Sequence, residues 1–391
     1  MEHSKAPYTL RQLLLYFLKL GATGFGGPVA LVGYMQRDLV ARRNWISMED
    51  YKEGLTLAQL APGPLAAQLA IYLGYVHYRI IGATLSGIAF VLPSFLMVVA
   101  LGMAYRHYGG LSWVQAVFYG VGASVIGIIA FSAIKLIQNT IGKDRLLWIL
   151  FAASLLVTAL TEQELVLIFI AAGIINWAVK APPRSLKKIF TIRSADFFFL
   201  PSLTSFFSTG NVHATWVLFL FFAKAGAFVF GSGLAIVPFL YGGVVREHHW
   251  LNERQFIDAV AVAMITPGPV VITVAFIGYL VEGFRGAAAA ALGTFLPCYL
   301  FTIIPAPYFK KYGKLDSIKA FVNGVTAAAI GAIAGAVIVL GKRSLVDTTT
   351  IAIALVSAAV LWKFKRMREP YIILLAAIAG LIIKYYVQAP V

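Results

Sequence analysis

Charged residues make up only 12% of this 391-residue chain, against 60% hydrophobic residues. A soluble chain of this length covers its water-facing surface with about a quarter charged residues. The shortage excludes a soluble fold and leaves lipid as the medium for most of the surface. Cysteine is scarcer still. One residue, Cys298, excludes an intramolecular disulfide and a thiolate metal cluster, and its apolar neighbourhood suits a small buried hydrophobe.

Motifs for catalysis and for ATP use are lacking too. His3, His77, His107, His213, His248 and His249 lie in loops or at the ends of apolar runs, without the two-His-plus-Glu helical spacing of a zinc protease. No phosphate-binding loop ending in Lys-Ser or Lys-Thr occurs, so the chain carries no ATP motor of its own. The expectation is no enzyme, no metal and no cofactor, with energy drawn from an ion gradient or from the substrate's own gradient. Met1 to Arg11 has neither a long basic region nor a clear cleavage site, so the first apolar segment is expected to be retained as a span.

What is present is a pattern of long apolar runs separated by basic breaks. The net charge of +16 is spread over those breaks rather than gathered on one face or tail, which is a membrane-topology pattern and not a nucleic-acid footprint. Reading with the length of a bilayer span gives crossings near 12–36, 80–104, 112–137, 146–160, 163–179, 214–240, 284–305, 316–340, 348–362 and 370–387. Two further stretches, 48–77 and 253–281, are split by Pro62-Gly63-Pro64 and Pro267-Gly268-Pro269. Proline removes a helix donor and clashes with the preceding turn, so each triplet predicts two half-helices meeting at a tip.

Sliding the chain on itself by about 205 residues exposes a duplication. Phe17, Lys19, Gly21, Gly26, Trp45 and the first Pro-Gly-Pro fall on Phe222, Lys224, Gly226, Gly231, Trp250 and the second. After one deletion, Gly74-Tyr75, Gly82 and Leu92-Pro93 fall on Gly278-Tyr279, Gly286 and Leu296-Pro297. The later spans of each half match only in hydropathy.

The positive-inside rule votes for halves of opposite orientation. It places Arg37, Arg42, Arg43, Arg79, Lys143, Arg145, Lys310 to Lys319 and Lys363 to Arg368 on one side, which requires five crossings and one re-entrant hairpin per half. The predicted fold class is an all-α polytopic membrane protein with two inverted-topology repeats. Residues 1–179 form the first, 214–391 the second, and 180–213 a basic cytoplasmic linker.

Non-helical backbone survives at membrane depth only where protein covers it or a polar cavity accepts it, so the breaks mark the candidate site. They comprise Gly26, Gly27 and Pro28, the matching Gly231, Ser232 and Gly233, and the tips Pro62, Gly63, Pro64, Pro267, Gly268 and Pro269. Helices that begin at such breaks aim unpaired N–H groups and partial positive charge at them, which suits an anion. Lys19 and Lys224 could offset the charge of a dianion, against snorkelling to the interface; Gln59, Gln68, Thr266 and Thr273 are neutral donors beside the tips, against ordinary helix–helix bonding. Glu53 and Asp258, equivalent in the repeat, are candidates for proton coupling, against a simple helix-start role. These features describe an inverted-repeat anion transporter, with an intramembrane enzyme or accessory scaffold as the alternative of another class.

The run from Phe17 to Pro28, with Trp45 and then Leu57 to Pro64, resembles the chromate ion transporter family. Phe222 to Gly233 with Thr266 to Pro269 resembles the second half of its long members. The resemblance implies a multi-pass protein of the prokaryotic cytoplasmic (inner) membrane that exports chromate, confers resistance to it and is competed by sulfate. Its partners would be that oxyanion and the lipid bilayer, with a homodimer left open and a transporter of sulfate or another tetrahedral oxyanion as the nearest alternative. The second copy departs from the first in having Ser232-Gly233 for Gly27-Pro28 and Met264 for Gln59, so equal roles do not follow there.

Overall fold

The computed structural model describes residues 7–25, 27–161, 166–182, 210–227, 236–312, 315–345, 347–364, 367 and 369–384, and the regular elements among them are all helical. Helix α1 (Leu10–Thr23) begins with a reciprocal capping box between Thr9 and Gln12 and ends where the glycine run begins, at Gly24. Helix α2 (Gly27–Met35) follows and loosens into a π-helical turn over Gln36–Arg42. The expected span 12–36 is therefore two helices around a glycine break rather than one continuous rod.

Helix α3 (Met48–Leu60), capped by Ser47, descends to the first tip, and α4 (Leu65–Tyr108) leaves it. At Arg79, with φ 53° and ψ −142°, α4 reverses direction. A methyl group on Gly74 would lie 2.3 Å from the carbonyl oxygen of Gly82. In a straight helix those residues stand about 12 Å apart. The first arm of α4 thus returns from the tip, and the long second arm crosses. Helices α5 (Ser112–Thr140), α6 (Arg145–Thr161) and α7 (Val166–Lys180) complete the half.

The second half repeats this order with α8 (Gly210–Ala227), α9 (Ile236–Tyr241), a π-helical turn over Gly242–Glu247, and α10 (Glu253–Ile265) capped by Asn252. Helix α11 (Thr273–Ile303) reverses at Glu282-Gly283, and the short α12 (Ala306–Tyr312) precedes α13 (Asp316–Ser344), α14 (Thr348–Lys363) and α15 (Glu369–Ile382). The equivalence extends to backbone angles. Asn44 and its mate His249 have φ of 52° and 51°, and Arg79 and its mate Gly283 have φ of 53° and 64°.

Four helical stretches among the described residues, Leu65–Tyr108, Ser112–Gln138, Val270–Phe309 and Asp316–Lys342, are long and apolar enough to cross a bilayer. Helices α6, α7, α8, α14 and α15 are apolar but shorter. Leucines point outward from several of them, Leu160 at 81% exposure and Leu167 at 76%, as a lipid-facing wall requires. The chain is an all-α polytopic membrane protein built of two repeats.

The halves are interlocked rather than side by side. Helix α4 packs on α11 and α5 on α13, while α6 and α7 of the first half lie on α13 and α14 and α15 of the second lie on α5. Glycines make these crossings close. A methyl group on Gly120 would sit 2.0 Å from Ala376 O, and one on its mate Gly324 would sit 2.3 Å from Ala172 O. Gly127 and Gly331 repeat the arrangement against Ala354 O and Phe151 O. The later spans therefore keep the residue register of the duplication, where the sequence had suggested hydropathy alone.

Candidate functional site

Each Pro-Gly-Pro tip is received by the opposite half. The Gly268 N–H donates to the Gly24 carbonyl at 2.9 Å, joining the second tip to the first glycine break. Gly268 has φ +98°, and a methyl group there would lie 1.9 Å from Ser94 Oγ on α4. The Ser94 hydroxyl in turn donates to Gly21 O at 3.3 Å. At the first tip the described residues show the equivalent helix contact. Gly63 has φ +140°, and a methyl group there would lie 2.9 Å from Cys298 Sγ on α11, which is 3.9 Å from Gly226 O. Ser94 and Cys298 are equivalent positions, directly after Leu92-Pro93 and Leu296-Pro297. Both tips thus use glycine because the backbone lies at positive φ and close neighbours, Ser94 of the opposite half at Gly268 and Gln68 with Cys298 at Gly63, leave no space for Cβ.

Pro64 and Pro269 sit at the N-cap positions of the segments leaving the tips, in extended conformation. Gln68, fully buried, donates its amide to Pro62 O at 2.7 Å and so braces the first tip, while its Oε1 has no partner among the described residues. The Thr266 and Thr273 hydroxyls donate to Ala263 O at 3.0 Å and Val270 O at 2.8 Å. Gln59 is exposed on α3, away from the buried face that carries Leu57 and Ala58. Lys19 and Lys224 are exposed on α1 and α8. Gly27 starts α2 with φ +70°, whereas Gly26, Gly231, Ser232 and Gly233 lie outside the described residues.

The two carboxylates sit in the middle of α3 and α10, beyond the first turns that Glu49, Asp50 and Glu253 occupy. Asp258 is 3% exposed and accepts from the Tyr105 hydroxyl of the first half at 2.7 Å. Glu53 is half-buried and accepts from Tyr72 of its own half, also at 2.7 Å. Among the described residues no group of His, Cys, Asp and Glu is placed to hold a metal ion.

Two cavities open beside these elements. One, of about 410 Å³, borders the first glycine break and is lined by Tyr16, Lys19, Gly24, Arg37, Asp38 and Arg43, among others. The other, of about 450 Å³, lies between the end of α4 and the start of α10, with Tyr105, Arg106, Gln115, Asn252 and Arg254 in its wall. Sequence reasoning singled out Lys19, took Arg37 and Arg43 as topology residues and passed over Tyr16. Their signal was available in the repeat, where Tyr16 and Arg43 are replaced by Phe221 and His248.

A family model described as "Chromate transporter" matches residues 11–177 and again 216–381. The chain is 64% identical over 382 residues to the chromate transport protein of Cupriavidus metallidurans, covering 97% of this chain and 94% of that one. It is 60% identical to a "probable chromate transport protein" of Synechococcus elongatus over 97% of both chains. A chromate transport protein of Pseudomonas aeruginosa is 29% identical over 95% of this chain and 91% of its own length. No solved structure matches.

Proposed function

Because this chain belongs to the chromate transporter family, we propose that it is a secondary carrier, not an enzyme, that moves chromate out of the cytoplasm and so confers resistance to it. The observation that carries the reading is the exchange of tips, in which Gly268 of one half bonds to Gly24 of the other at 2.9 Å. Broken backbone from both halves meets at one interface, and the N–H groups and positive helix ends there supply an anion site without a metal or a fixed cofactor. A rearrangement that moves one half against the other changes both tips together. This gives alternating access around one substrate.

The reading assigns residues 1–179 and 214–391 to two repeats of inverted orientation joined by the basic segment 180–213. The membrane is the prokaryotic cytoplasmic (inner) membrane, with the basic loops facing the cytoplasm. Substrate contacts come from the tips Pro62 to Pro64 and Pro267 to Pro269, from the glycine breaks at Gly26-Gly27 and Gly231 to Gly233, and from Lys19, Lys224, Gln59, Gln68, Thr266 and Thr273. Asp258, with Tyr105 across the interface, is the stronger coupling candidate because it is the more buried carboxylate; Glu53 is the weaker. Sulfate, of the same shape and charge, is expected to compete, since helix ends and neutral donors read charge and size.

The test is chromate flux into liposomes containing the purified chain, with sulfate and molybdate as competitors and with or without an imposed proton gradient. Saturable chromate movement inhibited by sulfate is the expected result, and gradient dependence would name the coupling. Lack of flux for all three anions under either gradient would overturn the reading.

A further inference from the structure

Of the side chains that line the cavity beside the first glycine break, the transport reading uses Lys19 alone. Three cations in its wall, Lys19, Arg37 and Arg43, face one carboxylate, Asp38. That carboxylate is already shared: Asp38 Oδ1 lies 3.0 Å from Arg37 Nε and 3.6 Å from Arg42 Nη1. Among the described residues no carboxylate pairs with Lys19 or Arg43. Arg43 is held instead by aromatic faces, 4.5 Å from the Trp45 ring and 5.4 Å from the Tyr16 ring. Its positive charge is oriented without being neutralised.

A second, independent observation concerns Tyr16. This side chain is only 7% exposed, yet its hydroxyl has no hydrogen-bond partner among the described residues. A buried hydroxyl without a partner is costly, and a ligand oxygen in the cavity would satisfy it.

The second half supplies an internal control. At the positions of Tyr16, Tyr34, Arg37, Asp38 and Arg43 it carries Phe221, Phe239, Gly242, Gly243 and His248. Phe221 stacks on Phe239 at 5.7 Å and meets His248 edge-on at 5.5 Å. A methyl group on Gly243 would come within 2.0 Å of the Phe221 ring. The same scaffold that is open and basic in the first half is filled with aromatic rings in the second.

We propose that the Tyr16–Lys19–Arg43 cavity is a loading site for a tetrahedral oxyanion dianion, without a counterpart among the described residues of the second half and distinct from the crossing tips. It captures the hydrated anion with Lys19 and Arg43, and the Tyr16 hydroxyl donates to one oxygen. Gly24 lines the cavity and also bonds to the tip Gly268, so the captured anion is one residue's width from the inner site. The basic loops around Arg37 and Arg43 put its mouth on the cytoplasmic face. This assignment rests on the carrier reading and adds the place where the substrate is first held.

Lys19→Cys gives the test, because the native Cys298 is buried. Binding of radiolabelled chromate to the full chain in detergent is expected to weaken about tenfold in Lys19→Cys, on the scale of one lost charge-assisted contact. A thiol reagent carrying an ammonium group is expected to restore it, whereas a neutral ethyl reagent is not. Lys135→Cys, an exposed cation on α5 outside the cavity wall, should bind as wild type does. Tyr16→Phe should weaken binding by a smaller factor. Wild-type binding and flux in Lys19→Cys, or equal losses in Lys19→Cys and Lys135→Cys, would overturn the loading site while leaving the carrier intact. Absence of flux in the wild-type chain would overturn the carrier reading and the loading site with it.

Discussion

The first and second halves share a backbone plan down to single residues, yet they differ where that plan meets water. Around Trp45 the first half places Arg43 over the ring, and around Trp250 the second places His248, stacked at 4.3 Å. The first arrangement leaves a charged cavity, and the second leaves packed aromatics. After a duplication, the positions that set helix crossings are constrained from both sides, by Gly21 against Phe90 O and by Gly226 against Thr294 O at 2.2 Å each for an added methyl. Positions that line a cavity carry no such constraint. On the carrier reading proposed above, the two halves can therefore differ in affinity for the anion while the tip geometry stays matched.

The largest effect should come from breaking the matched part. Gly268→Leu and Gly63→Leu are each expected to reduce chromate flux to background, because positive φ costs about 1–3 kcal/mol for a non-glycine residue and the close neighbours leave no room. Flux per inserted molecule, in variants that remain monodisperse, is the measurement. The paired change Gly268→Ala with Ser94→Gly should recover more flux than Gly268→Ala alone, since the nearest clash is with Ser94 Oγ. If one tip tolerated leucine, the halves would not be functionally matched.

A smaller effect should separate the two carboxylates. Asp258 is bound across the halves by Tyr105, and Glu53 within one half by Tyr72. Asp258→Asn is expected to lower gradient-driven flux about tenfold, on the scale of a hydrogen bond to a charged group, and Glu53→Gln to lower it less. Tyr105→Phe should reproduce part of the Asp258→Asn loss. Equal losses from Asp258→Asn and Glu53→Gln would show that the halves share coupling equally.

The smallest effect concerns the pair Asp144–Lys180, at 2.8 Å, which no ion pair matches among the described residues of the second half, where Asp347, at the same place before α14, accepts from the Tyr119 hydroxyl instead. The Lys180 ammonium holds the Asp144 carboxyl below its usual 3.8. A depressed carboxyl contributes stability above its unfolded pKa and loses it as pH falls through the folded value, so the pair acts at neutral pH and fades below about pH 4. Lys180 is 47% exposed. Lys180→Ala should therefore lower the melting temperature by no more than about 1–2 °C at pH 7, and by nothing measurable in acid.

The sequence made the breaks legible because glycine and proline act locally: Pro62-Gly63-Pro64 ends a helix whatever surrounds it. The repeat was legible for the same reason. Partner exchange was not, since nothing in a linear register says that Gly63 will face Cys298 rather than Ser94. Cys298 was correctly read as a buried small residue, but its place against the opposite tip depends on tertiary packing. Gly120 with Gly324, and Gly127 with Gly331, stood at the repeat spacing and went unnoticed among the many glycines of apolar runs. Lys19 stood out as a cation in an apolar stretch, whereas Arg43 looked like one more loop anchor until Tyr16 and Trp45 were seen beneath it.

The interlocking of the late helices also sets a clock for biosynthesis. The face of α5 at Gly120 is closed by Gly380 and Ala376 of α15, which leave the ribosome some 260 residues later. At roughly 5–20 residues per second, that face waits on the order of 10–50 s for its partner. During the wait its small residues and the buried Ser124 lie open to lipid or to the insertion machinery, and any neighbouring α5 of another chain is a competing mate. Crowded synthesis, rather than mutation of the site, is then a route by which this architecture fails.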